Sequence, residues 1–137
     1  MNRHLFLLLI AASFLGGCKK FIEKKQEEAA LEIVTNGRWK VSTFTVDGAD
    51  SISHFTNYSF QFRENGTVEA YNGTLLEETG TWVVNVSARS IFSSFTRPIP
   101  ALRLLTGTWI ITTSTTTTVD ATLNANGQER KLHLDKI

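Results

Sequence analysis

The chain has little of what redox and metal chemistry require: among 137 residues there is one cysteine, Cys18, and three histidines. A single thiol excludes an internal disulfide, a multi-cysteine zinc site and thiol exchange within the chain. Charge of one sign is also missing, since 14 Lys and Arg stand against 13 Asp and Glu. Without a basic field to follow a phosphate backbone, nucleic acid is not an expected partner. The apolar run at residues 5–15 holds only eleven residues, Ser13 among them, where a membrane-spanning helix needs about 20. No glycine-rich loop of the phosphate-cradling kind occurs. What remains suits one folded domain, because 42% hydrophobic residues with nine Phe and three Trp can bury a core.

The amino terminus reads as an address. Arg3 and His4 precede the apolar run, and Gly16-Gly17-Cys18 follows it, which is a charged segment, a short hydrophobic segment and a small-residue cleavage site. Leu15-Gly16-Gly17-Cys18 resembles the lipobox of bacterial lipoprotein precursors. That resemblance implies a signal peptide over 1–17, removal of it, and acylation of Cys18 on sulfur and on the new amino terminus. Two or more acyl chains give stable anchoring where one gives only reversible attachment. Lys19, in place of the aspartate that favours inner-membrane retention in the enteric pattern, implies the outer membrane.

Residues 18–30 then form a lipidated cysteine and a charged, solvated tether. A short helix is expected near 23–34, stopped by Asn36-Gly37, with Leu31 and Val34 packing on the domain that follows. Glu27, Glu28 and Glu32 offset the lysines, so this helix has little attraction to anionic lipid.

From Gly37 on, the period is two. Trp39, Val41 and Thr43 share one face of a first strand, opposite Lys40, Ser42 and Phe44. Tyr58, Phe60 and Phe62 alternate in the next. Glu64-Asn65-Gly66, Asn72-Gly73 and Asn126-Gly127 mark turns. Trp82 and Val84, then Trp109 and Ile111, then Val119, Ala121 and Leu123 continue the inward series, and Pro98 and Pro100 place a bend. About eight strands with no helix after Gly37 would build either a sandwich or an up-and-down antiparallel barrel. The barrel is preferred because it leaves no exposed edge. Such a barrel is filled by side chains or holds one small ligand.

Gly37-Arg38-Trp39 behind a short helix resembles the Gly-x-Trp motif of lipocalins. The layout from Tyr58 to Val68, through Gly80-Thr81-Trp82, to Leu132-His133-Leu134 is similar to the lipocalin-like domain of bacterial lipoproteins, over residues 31–137. Gly-x-Trp recurs at Gly80 and at Gly107. The resemblance implies that Trp39 is a structural residue of the barrel base, covered by a late cation, Arg130 or Lys131.

Residues for catalysis are scarce. His54 and His133 lack companion motifs. Asp47 and Asp50 flank a turn without the further donors of a calcium loop, and the adjacent Glu77 and Glu78 would face opposite ways on a strand. No enzyme activity, metal or cofactor is expected. The threonine run 112–118 suits a hairpin, and Asp50-Ser51-Ile52 resembles an O-glycosylation tripeptide. Two functions stay open: a barrel whose Tyr58, Phe60, Phe62, Trp82, Val84, Trp109 and Ile111 line a site for a small apolar ligand, or a structural or protein-interaction lipoprotein in which the same side chains fill the barrel.

Overall fold

A computed structural model describes residues 20–137. The signal peptide and Cys18 lie outside the described residues.

A helix, α1, covers residues 20–35, so it begins earlier than the expected 23–34 and takes in the charged, largely exposed stretch after Lys19. It buries Val34 and half-buries Leu31 and Ile33 against the domain, as their spacing predicts. Gly37 ends it at φ 85°, a left-handed turn that glycine adopts at no steric cost.

The strands follow as β1 (Trp39–Val46), β2 (Ala49–Asp50), β3 (Tyr58–Phe62), β4 (Thr67–Asn72), β5 (Leu75–Asn85), β6 (Ser90–Ser94), β7 (Gly107–Ser114), β8 (Thr118–Ala125) and β9 (Gln128–Lys136). A 3-10 turn at Ile52–Phe55 precedes β3, and a helix, α2 (Pro100–Leu105), precedes β7. Every neighbouring pair is antiparallel, and β9 pairs back onto β1 from Trp39↔Lys136 to Val46↔Arg130. With β2 a two-residue extension of β1, this is a closed eight-stranded up-and-down barrel. Its weakest seam lies between β1 and β3, joined by the single pair Trp39↔Phe60.

The barrel has two ends. At one lie α1, the β3–β4, β5–β6 and β7–β8 turns and the last residues of β9. At the other lie the β1–β2 hairpin, the 3-10 turn, α2 and the β8–β9 turn. Phe55 and Leu102 are fully buried there and plug the α2 end, where the Phe55 ring sits 4.7 Å from that of Phe44.

Three sequence expectations need correction. Phe44, not Thr43, continues the inward face of β1, because a bulge between Val41 and Thr43 adds a residue to the strand and reverses the alternation. Residues 100–105 are helix, where no helix was expected after Gly37. Pro100 begins that turn, and six residues are too few to display a helical period. The cation on Trp39 is Lys136, whose Nζ lies 5.0 Å from the ring centroid. Arg130 and Lys131 pair with Val46 and Thr45 at the opposite end of β1.

Candidate functional site

Of the seven side chains expected to line or fill the barrel, Phe60, Trp82 and Trp109 are buried in one core with Trp39, and Tyr58, Phe62, Val84 and Ile111 pack against it partly buried. The three Gly-x-Trp repeats share one device: each indole enters the core and its Nε1 donates to a backbone carbonyl. Trp39 bonds Val34 at 2.9 Å, Trp82 bonds Arg63 at 2.8 Å, and Trp109 bonds Leu105 at 2.9 Å. A buried indole thus keeps its polar edge satisfied. Gly80 serves close approach, since a Cβ there would come within 2.4 Å of the Ser94 carbonyl oxygen.

Inside the barrel is a cavity of about 70 Å³, bordered by Phe60, Phe62, Trp109 and Ile111 together with Trp39 and Ala121. Tyr58, Trp82 and Val84 do not border it. Its one polar wall residue, Ser93, already donates to the Leu105 carbonyl at 2.6 Å. Pockets that take small molecules run to about 300–1,000 Å³, so the barrel interior is packed and has no room for a lipid-sized guest. Tyr58 stacks on Phe60 and donates to the Glu77 carboxylate, and burial together with that carboxylate pushes its phenol up to about 12.

The small cavity separates two otherwise similar alanines. Ala70 is fully buried and does not border the cavity, whereas Ala121 does. Ala70→Leu is expected to overpack the core and cost about 1–3 kcal/mol, with Ala121→Leu costing clearly less. Urea unfolding midpoints of the two variants check this.

The larger space lies at the α1 end, between the helix and the barrel rim. This groove has a volume of about 530 Å³. Ala29, Ala30, Ile33 and Val34 of α1 form its roof, Val84, Ile91, Ile111 and Val119 its floor, and Gln26, Asn85, Arg89 and Thr115 its polar edge. Ile91, Ile111 and Val119 also border the inner cavity, so the groove floor is the outer surface of the barrel core. Side-chain bonds tie the barrel to the last turn of α1: besides Trp39, Lys136 Nζ donates to the Ile33 carbonyl at 2.8 Å and Gln61 Nε2 to that of Thr35 at 3.1 Å. Farther toward the amino terminus, Phe21 and Ile22 are exposed.

On the outer wall the structure assembles a cluster that the sequence conceals. His133 lies opposite Asp120 across β8 and β9. Its Nδ1 is 2.7 Å from Asp120 Oδ1 and its Nε2 is 3.1 Å from Asp135 Oδ1. Thr113 donates to Asp120 and Ser42 to Asp135. Serine, histidine and aspartate are present, but Ser42 bonds the carboxylate and not the imidazole, which is the wrong order for activating a nucleophile.

The hydrogen bond to Asp120, then that to Asp135, holds the His133 imidazolium to higher pH than its ordinary 6.5. Asp120 and Asp135 are held below their ordinary 3.8, chiefly by the hydroxyls of Thr113 and Ser42 and then by His133. A raised histidine stabilises the fold below its unfolded value and loses that contribution as pH climbs through the folded one. Depressed carboxylates contribute above theirs and lose it on acidification. The cluster is therefore expected to support the fold most between about pH 4 and 6.5. In an NMR titration the His133 midpoint should lie above 6.5 and fall in Asp120→Asn.

Asp47 and Asp50, read in the sequence as flanking an ordinary turn, hold turns in the structure. Asp47 Oδ1 accepts from the Glu129 amide at 2.8 Å and Asp50 Oδ1 from that of Ile52 at 3.0 Å. Ser51 follows Asp50 in the same connection, half-buried. Among the described residues no cluster of three or more His, Cys, Asp or Glu is placed to hold a metal, and no helix is long and apolar enough to cross a membrane. In comparisons with known proteins, the chain matches no family model and no curated protein.

Proposed function

We propose that this chain is a lipocalin-like lipoprotein of the bacterial envelope, anchored in the outer membrane through lipid on Cys18, whose barrel binds a small apolar or amphipathic molecule beneath α1. The observation that carries the binding site is the groove of about 530 Å³ with an apolar roof and floor and a polar edge that includes Arg89. This is the size and composition of a small-molecule site, and the barrel interior, at about 70 Å³, is not. The ligand therefore lies on the barrel mouth and not down its axis. The helix that roofs it runs from residue 20, two positions from the lipidated cysteine, and its 16 residues span about 24 Å. A ligand beneath it would bind against the segment that follows the acylated residue in sequence, which suits a molecule exchanged with the bilayer.

The packed interior favours a second reading, a filled barrel that serves as a structural or protein-interaction module. Enlarging Ala30, which lines only the groove, tells them apart. An environment-sensitive apolar dye should bind residues 20–137 saturably, and Ala30→Trp should weaken it at least tenfold with little loss of stability. A filled barrel binds no dye, and a dye indifferent to Ala30→Trp is not in the groove.

A further inference from the structure

At the opposite end of the barrel three arginines surround one pocket. Arg97 comes from the loop between β6 and α2, Arg103 from α2 itself and Arg130 from β9, and they line a space of about 360 Å³ with Pro98, Asn126 and Thr106. No carboxylate lines it. Among the described residues none of the three is in an ion pair. Two of them are oriented by neutral partners. Arg97 Nη1 donates to the Glu77 carbonyl at 2.8 Å, while Arg130 donates from Nη1 to the Leu104 carbonyl at 3.1 Å and from Nε to Gln128 at 2.9 Å.

The acidic groups nearby lie outside the pocket lining. Glu78, 7% exposed, accepts the amides of Thr96 and Arg97 through Oε1 at 3.0 Å each and so fixes the loop that carries Arg97, while its buried Oε2 has no hydrogen-bond partner among the described residues. The Glu77 carboxylate is taken by Tyr58, and Glu129 reaches toward Lys131. In a chain whose total charge is close to balance, three guanidinium groups gather about one concave space whose walls hold no carboxylate, and their mutual repulsion favours an anion between them.

We propose that this pocket is an anion site that takes a phosphoryl group, held by Arg97, Arg103 and Arg130. The planar fork of arginine meets a pair of phosphoryl oxygens with two parallel hydrogen bonds. Three guanidinium groups carried by three different segments match a tetrahedral group with several charged oxygens better than they match a flat carboxylate with two. The phosphoryl group belongs either to a small phosphomonoester or to a lipid headgroup. The site is separate from the α1 groove, so its failure leaves the groove untouched.

The test uses the full chain in dodecyl maltoside micelles and calorimetry with three probes: glycerol 1-phosphate, mixed micelles carrying phosphatidic acid, and acetate. Arg103→Gln is the cleanest variant, because Arg103 is exposed and makes no side-chain hydrogen bond among the described residues; Arg97→Gln and Arg130→Gln complete the set. Saturable binding of glycerol 1-phosphate, weakened about tenfold or more in each variant and by added salt, supports the site with a free phosphomonoester. Binding of phosphatidic acid micelles alone, lost in the same variants, supports it with a lipid headgroup. Binding of neither phosphate probe, binding unchanged in Arg103→Gln while circular dichroism is native, or acetate binding as tightly as glycerol 1-phosphate overturns it.

Discussion

Replacing Cys18 by serine is expected to abolish metabolic palmitate labelling of the chain in a Gram-negative host and to leave it with residues 1–17 still attached. The argument rests on position and on number. Cys18 is the chain's one thiol, and it stands directly after Gly16-Gly17 at the end of the apolar run. Serine has no sulfur to acylate. Each buried methylene of an acyl chain contributes about 0.8 kcal/mol, so losing every chain removes the stable membrane attachment and not a fraction of it. Palmitate label retained by Cys18→Ser, or normal maturation of the variant, would contradict lipidation at this residue.

Trp39→Ala is expected to destabilise the folded domain by about 3–5 kcal/mol, the cost of deleting a large buried ring. Trp39 is 1% exposed and holds three parts together. Its indole bonds the Val34 carbonyl of α1, its ring carries Lys136 of β9, and its backbone makes the one pair that joins β1 to β3. Trp39→Phe keeps most of the apolar surface and removes the indole hydrogen bond, so it should cost less than the alanine change. Urea unfolding of residues 20–137 measures both, and a near-neutral Trp39→Ala would mean the ring does not close the barrel base.

The barrel was legible in the sequence wherever a residue declares its own environment. Tyr58, Phe60 and Phe62 alternate without interruption, Asn65-Gly66 and Asn126-Gly127 turn the chain as expected, and the strands between them pair in sequence order. What depended on register was not legible. Lys136 reaches Trp39 only because β9 runs antiparallel to β1 with its carboxyl end at the α1 end, so order along the chain pointed to Arg130 instead. His133 meets Asp120 for the same reason, since cross-strand partners follow from pairing and not from spacing. The inward turn of Phe44 required a bulge, although its size alone argues for burial. The balance between a filled and a hollow barrel is set by side-chain packing to within a few methyl groups, and no pattern along a chain reports that. Likewise, the groove exists because of where α1 lies against the rim, and Ala29 and Ala30 read in sequence only as good helix formers.

The most direct test of binding at the barrel mouth is a nuclear Overhauser measurement on residues 20–137 with carbon-13-labelled palmitate. Saturable binding is expected, with contacts from the acyl chain to methyl groups of Ile33 in the roof and of Ile91 and Ile111 in the floor of the groove. Absence of saturable binding, or contacts confined to residues away from α1 and the rim beneath it, would contradict it.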